Sequence, residues 1–327
     1  MNSKPGAIAP RTGFVWAMLV VSCLLFTAGC QSKQPSETPA TPSTSPPPPS
    51  SSSDIQKQHE EAEKQFRPDI ESQRQQSQKE AEQSLDQDAI AAIQQTEQAV
   101  KDIAANKKND ALSDIEKATG KINILTARNP ATALIPVSAE VVVIDTAPLD
   151  LKTIDQIAQL AIAAVKNKDF PTARVLLATL VSEIRTRTSF LPLATYPAAL
   201  SESARLLDQN KNQDAGNILL AALNTLVIVD HVVPLPLILA QAAISAADSQ
   251  RQSKDIALPL LETARNELNR SRALGYMSND PDYHTLDKQI SDLESAIKGK
   301  GDLSTMFSRL RDKIAAFLKR QKDRERR

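Results

Sequence analysis

Along most of this chain, apolar residues recur with the period of an α-helix. Ile90, Ile93, Val100 and Ile103 fall on one helical face, and Leu112, Ile115, Ile122 and Leu125 fall on another. The polar break "NKKND" separates the two runs. The same arrangement recurs downstream. "IDQIAQLAIAAVKNKDFPTARVLLATLVSEI" breaks at "KNKDF", with Pro171 suited to a first helical turn. "ALSESARLLDQNKNQDAGNILLAALNTLVIV" breaks at "DQNKNQD", and "LILAQAAISAADSQRQSKDIALPLLETARNELNRSRAL" breaks at "SQRQSKD". Each polar turn precedes an alanine, Ala111, Ala173, Ala215 or Ala257, at spacings of 62, 42 and 42 residues. The pattern predicts a degenerate repeat of helical hairpins that bury one another's apolar faces. It lacks both the 34-residue period and the aromatic signature of tetratricopeptide units.

Two stretches interrupt the helical period. "LIPVSAEVVVIDTAP" (134–148) holds four consecutive β-branched residues, and "RTRTSFLPLATYP" (185–197) is limited by Pro192 and Pro197. A lone strand leaves its backbone groups without partners. The sequence therefore predicts that Glu140–Ile144 pairs with Thr186–Phe190 as an antiparallel ribbon. The expected fold is mainly α, a bundle of antiparallel helical hairpins with a small two-stranded β ribbon. The ribbon edge at Val141, Val142, Val143 and Ile144 is the candidate contact for a homo-oligomer.

Composition agrees with a helical globular chain. Of 327 residues, 41% are hydrophobic, 3% are aromatic and only 8 are glycine. The first residues add an address. Lys4 and Arg11 precede an apolar run from Phe14 to Ala28, too short to span a bilayer comfortably, followed by "TAGC". Ala28 and Gly29 before Cys30 resemble the lipobox of bacterial lipoproteins. That resemblance implies cleavage before Cys30 and acylation of its sulfur and amine, hence stable anchoring to a membrane. Thr27 departs from the leucine usual three places before the cysteine. Gln31, where an Asp would retain an enterobacterial lipoprotein at the inner membrane, favours the outer membrane. Residues 1–29 then form the signal peptide. Cys23 leaves with it, so the mature body is held by packing without disulfides. The chain has 39 basic and 39 acidic residues, and loss of Lys4 and Arg11 leaves a small negative charge. That field argues against a nucleic-acid partner.

Residues 30–53 are a Ser/Pro-rich linker that cannot build a core and favours extended polyproline II. Residues 54–85 form a polar, charged segment with only Ile55, Phe66, Ile70 and Leu85 as large apolar residues. Pro68 should break any continuous helix there, so helical pieces or disorder are expected. Residues 86–299 are the helical domain, and 300–327 a basic amphipathic C-terminal helix. Nine Lys/Arg against three Asp/Glu fall in 309–327. Docking of that helix on the body is favoured over a membrane-surface role.

Four stretches in order, "IPVSAEVVVID", "FLPLATYPAALSESARLL", "ILLAALNTLVIVDHVVPLPLILA" and "ELNRSRALGY", make residues 88 to 292 resemble the YfdX family of bacterial proteins. The resemblance implies a mainly helical exported protein, with links to envelope, acid or drug stress and with oligomerisation. It supplies no catalytic residues. The anchor and linker lie outside it.

The residues themselves carry no strong chemistry. There is no Gly-x-Ser-x-Gly elbow, phosphate-binding glycine loop or His-Glu-x-x-His. No catalytic residue, cofactor or metal is assigned. His59 falls in the polar segment. His231 is read at the end of an apolar helix, where a dipole interaction suits it. His284 stands with Asp280 and Asp282 in "NDPDYH", which reads better as a helix cap, Asp280 at the N-cap and Pro281 at N1, than as a metal site. His231 and His284 are the candidate pH-responsive groups. The expected function is a non-enzymatic envelope lipoprotein, a helical scaffold or binding module linked to envelope or acid stress. The alternative is a small-ligand, metal or pH sensor with a pocket between helices near "VVPLPL" and Tyr196. A hydrolase with a spatially assembled site is a distant third.

Overall fold

The structure is a computed structural model that describes residues 52–276, 280, 282–299 and 302–324. Cys30, the signal and the linker lie outside the described residues. So does Pro281.

Eleven helices and three strands are described. Helix α1 spans Ser52–Ser84. Three units follow, each an αα-hairpin leading into a strand. The first is α2 (Gln87–Ala104), α3 (Lys108–Arg128) and β1 (Leu134–Asp145). The second is α4 (Leu151–Lys166), α5 (Phe170–Ala178) and β2 (Ser182–Pro192). The third is α6 (Tyr196–Asp208), α7 (Asn212–Leu223) and β3 (Val227–Pro234). A fourth hairpin, α8 (Leu235–Ser249) and α9 (Lys254–Ala273), precedes α10 (Asp282–Lys298) and α11 (Leu303–Arg324).

The hairpin turns share one local solution. Asn106, Lys168 and Asn210 each take positive φ, at 58°, 61° and 59°. The next residue's N–H then closes the preceding helix: Lys107 to the Asp102 carbonyl, Asp169 to Ala164, Lys211 to Leu206. The alanine five residues after each left-handed position is buried, as is Ala257 in the fourth hairpin. A methyl is the largest group that lets the two helices of a hairpin approach so closely. Asp86, Asp150 and Asp169 cap α2, α4 and α5 through backbone N–H groups.

Glu140–Ile144 pairs with Glu183–Arg187, within a longer antiparallel ladder from Leu134↔Pro192 to Asp145↔Ser182. The partner segment sits nearer the start of β2 than the expected Thr186–Phe190. The register is set where the strands meet the α4–α5 hairpin, by the N–H groups of Thr146 and Ala147 on the Val181 carbonyl. The two-stranded ribbon gains a third strand: β3 pairs antiparallel with β2, from Glu183↔Pro234 to Phe190↔Val227, so the order is β1-β2-β3. "VIVDHVVP", read from sequence as the end of an apolar helix, is this strand. His231 is therefore on a strand and has no helix C-terminus behind it. The run "NILLAALNTLVIV" is mostly apolar, which suits either element, and pairing with β2 selects the strand. β1 and β3 run the same way, opposite to β2. Hairpins α2–α3 and α6–α7 accordingly lie at one end of the sheet, and α4–α5 and α8–α9 at the other.

Two cores result. At one end α2 and α3 pack on α7 and α6 around Ile122, Leu125, Leu200, Leu207 and Leu219. At the other, α8 is buried along most of its length against α1, α9 and α11, and α10 completes the cluster from α9 and α11. α11 docks there through Phe307, Leu310, Ile314 and Phe317. α1 runs unbroken through Pro68. The missing N–H costs one helical bond, while burial of Ala62 and Phe66 against the α8 core holds the helix in place. No described helix is long and apolar enough to cross a membrane.

Candidate functional site: a cleft under the first helix

Alternation along the three strands gives the sheet two unlike faces. One presents Thr186, Thr188 and Phe190 from β2 between Leu134 and Pro136 of β1 and Val229, His231 and Val233 of β3. A bulge between Pro136 and Ser138 shifts the register, which brings Pro136 onto this face opposite Phe190. The C-terminal half of α1 crosses above it. There α1 offers Ser77, Ala81 and Ser84, small side chains at helical spacing, so helix and sheet do not close. The gap is a cleft of about 460 Å³, lined also by Glu80 and Val232. Next to it, Ile184, Leu235 and Ile238 form a small core, with Ile70, Val141 and Val233 packed against them.

The lining is mixed: Leu134, Pro136, Phe190 and the valines are apolar, while Ser77, Ser84, Thr186 and Thr188 supply hydroxyls, His231 an imidazole and Glu80 a carboxylate. Among the described residues, no lysine or arginine lines it. Such a lining suits a ligand held by shape and a few hydrogen bonds. The opposite face carries charge. Arg187 donates two hydrogen bonds to Asp230, at 2.8 and 2.9 Å. That pairing, first among several cationic neighbours, holds the Asp230 carboxyl below its usual range.

A second cluster lies between α1, α9 and the feet of α4–α5. His59 Nδ1 is 2.8 Å from Glu267 Oε1, with both side chains buried. Arg270, 2% exposed, reaches Glu267 at 3.7 Å and donates to Asp145 at 2.8 Å. It also donates to the carbonyls of Ala147 and Pro148. Tyr276 donates to Glu183 at 2.7 Å and accepts from the Ser182 N–H. Burial raises its phenol well above the usual range. Gly275, at φ 90°, makes the turn that returns Tyr276 to the sheet. Arg270 thus clamps the segment entering α4, and Tyr276 clamps the segment leaving α5. These residues belong to "ELNRSRALGY", a stretch whose role is invisible until its partners, more than 90 residues away, are in place.

The sequence-derived candidates fall in three places. His231 lines the cleft. His284 is exposed, its neighbour Tyr283 edge-on at 5.6 Å. Asp280 accepts from the Asp282 N–H at the start of α10. No group of three or more His, Cys, Asp or Glu suited to a metal occurs among the described residues. Val141, Val142, Val143 and Ile144 lie on β1, an edge strand of the sheet. The expected pocket near Tyr196 is displaced: Tyr196 is sealed in the α2–α3/α6–α7 core, and burial pushes its hydroxyl up to about 12. The cleft instead meets the stretch before "PLPL" at Val232 and Val233. His59 has no motif of its own in a charged, glutamine-rich run; Phe66 and Ile70 are the sequence signal that α1 docks.

Fold and cleft define a class: a mainly helical body of αα-hairpins carried on a small antiparallel sheet, with a ligand-sized gap beneath one helix. Residues 92–232 match the family model described as YfdX protein, a stretch from within α2 to within β3. That stretch is a YfdX domain by this match. A solved crystal structure of Salmonella Typhi YfdX is similar over 46% of this chain and 93% of its own, at 15% identity and a TM-score of 0.32. That likeness is too distant to carry detail from one to the other. No curated protein matches the chain.

Proposed function

We propose that this protein is a non-enzymatic lipoprotein of the bacterial envelope, tethered through lipidated Cys30, whose helical body is a binding module serving an envelope-stress response. The observation that carries the reading is the cleft under α1. At about 460 Å³ it lies within the range of small-molecule sites. Its lining combines apolar side chains with hydroxyls and an imidazole that can hydrogen-bond a ligand. The lipobox-like "TAGC" and the linker of residues 30–53 support the tether. The lack of lysine and arginine in the described lining points to an uncharged or weakly basic ligand with an apolar body.

A neutral naphthylamine dye tests the cleft. Its fluorescence should rise on binding the full chain, and Ala81→Leu, which fills the gap from α1, should weaken binding at least tenfold. Equal binding by both proteins would remove the cleft from the account. Labelled palmitate should enter the wild type and not Cys30→Ser.

The sensor reading is favoured by one observation: α1 is both the roof of the cleft and the element that follows the linker. A ligand that displaces α1 would change how the body is held near the membrane. In its pH-responsive form this reading now involves His59 as well as His231 and His284, so single and combined replacements by Gln are needed to assign any transition.

A further inference from the structure

We infer that the α4–α5 hairpin is a membrane-docking element, which lays its tip on the anionic phospholipid surface to which the chain is tethered. The inference rests on the tether proposed above and adds a second, non-covalent contact with the same bilayer.

The hairpin is firmly held at its base. Arg270 clamps Asp145, Ala147 and Pro148, and Tyr276 clamps Ser182 and Glu183. Thr146 closes the two feet by donating to the Ala178 carbonyl at 2.7 Å. Beyond the base its outer faces are open. Seven of the thirteen exposed large hydrophobics among the described residues lie on this arm, from Leu151 to Leu177. An apolar surface of this kind on a rigid arm marks an interaction site.

Three observations choose a bilayer as the occupant. The first is the make-up of the tip. Ile162 and Val165, near the end of α4, and Phe170, at the start of α5, are each about half exposed. Beside them stand the exposed Lys166, Lys168 and Arg174. Between residues 162 and 174 Asp169 is the single acid, and it caps α5 by accepting from the Thr172 N–H at 3.2 Å. Apolar side chains framed by cations fit the boundary between acyl chains and negative headgroups. The ring and aliphatic groups enter, and the cations stay at the level of the phosphates.

The second is the contrast with the equivalent turns. Those of α2–α3 and α6–α7 also carry lysine, at Lys107, Lys108 and Lys211. Neither exposes a large hydrophobic residue within five positions of its left-handed residue, Asn106 or Asn210. Basic charge is common to all three turns. Basic charge joined to exposed apolar side chains belongs to α4–α5. The C-terminal helix, the other basic amphipathic element, has its apolar face buried on the α8 core through Phe307, Leu310, Ile314 and Phe317.

The third is where the chain enters the body. His59, two turns into α1, lies 2.8 Å from Glu267. One turn further along α9, Arg270 holds the segment entering α4. The start of α1 and the foot of the hairpin are therefore fastened to neighbouring turns of one helix. From there α1 runs along the sheet toward α2, so its first residue lies at the end of the body that carries α4–α5. Cys30 precedes Ser52 by 22 residues. Such a length reaches about 70 Å at most, which keeps this end within range of the surface that holds the acyl chains.

Site-specific fluorescence of the full chain tests the contact. In a Cys23→Ser/Cys30→Ser background, which has no acyl anchor and no other thiol, an environment-sensitive nitrobenzoxadiazole probe is attached at Asn167→Cys, beside the tip. The control probe is at Gln209→Cys, the equivalent position of α6–α7. Vesicles of phosphatidylcholine and phosphatidylglycerol should brighten the tip probe at least twofold and leave the control unchanged, and doxyl-labelled lipid should quench the tip probe alone. Phe170→Ser should cut the change at the tip to about a tenth, and Phe170→Trp should keep it. Lys166→Glu/Lys168→Glu should remove its dependence on phosphatidylglycerol. Melting curves should not move, because these side chains are exposed. Equal responses at the two probe positions, or a tip response indifferent to Phe170→Ser, would overturn the inference. So would a tip probe already shielded without vesicles, since protein would then cover the hairpin. The chains in this test lack the anchor, so a failure here is distinct from a failure of palmitate to enter at Cys30.

Discussion

The hairpins α2–α3 and α4–α5 share a turn, a left-handed residue, a buried alanine and a following strand, yet they end in opposite environments. The first buries Ile115, Ile122 and Leu125 against α6–α7. The second exposes Leu160, Ile162 and Val165. The difference lies in what occupies the neighbouring space, because both sequences are apolar enough for burial. One copy of the local design became core and the other became surface. A repeat fixes how each unit folds, while the packing of non-repeated elements, here α1, α10 and α11, determines which unit is left uncovered.

Substitutions in and around the two hairpins test that contrast. The largest effect is expected from Arg270→Ala, which removes the clamp under α4–α5 and leaves Glu267 buried beside a lost cation. A cost of about 3–5 kcal/mol is expected in urea unfolding. A loss below about 1 kcal/mol would mean that the base is held by the strands alone.

Core truncation compares the hairpins directly. Ile122→Ala should cost roughly 2–5 kcal/mol. Leu160→Ala, at an exposed position, should cost no more than about 0.5 kcal/mol in the monomer. Equal losses would show that α4–α5 is covered within one chain.

The turns should differ in the reverse sense. Asparagine tolerates positive φ better than lysine, so Lys168→Gly should stabilise by about 1 kcal/mol, and Asn106→Gly by less. Melting of the two variants under one buffer condition decides the order.

The smallest effect concerns the pair that ties the strand of the open hairpin to that of a covered one. The Asp230 carboxyl is held below its usual range, chiefly by the Arg187 hydrogen bond. A lowered folded value stabilises above the unfolded pKa, about 4, and the contribution is lost as pH falls through the folded value. Asp230→Asn should cost about 0.5 kcal/mol at pH 7, since the pair is partly solvated. The gap between variant and wild type should close in acid.

Much of the helical design is legible along the chain. The polar turns at 106–110, 166–170, 208–214 and 249–255 mark all four hairpins, because helical period and polar breaks are local signals. The β1–β2 pairing is legible from the β-branched run at Val141–Ile144 and the prolines around it, although its register is not. β3 is not legible, because "LVIVDHVV" follows a leucine-rich helix with no glycine or proline before it, and only its partner β2 selects the strand. The candidate site is less legible still. Ser77, Ala81 and Ser84 read as part of an ordinary polar helix until the sheet lies beneath them.

What the sequence determined by itself is therefore most of the local elements, the family stretch and the lipobox-like cysteine motif. Period, capping and turn residues act within a few positions of one another. The tertiary structure alone decided which apolar faces meet, that α1 joins the body through His59 and Phe66, and that a cleft remains beneath it. It also decided that one of four similar hairpins stays uncovered. Those outcomes depend on competition for the same surface between segments far apart in the chain, and no local pattern records which competitor wins.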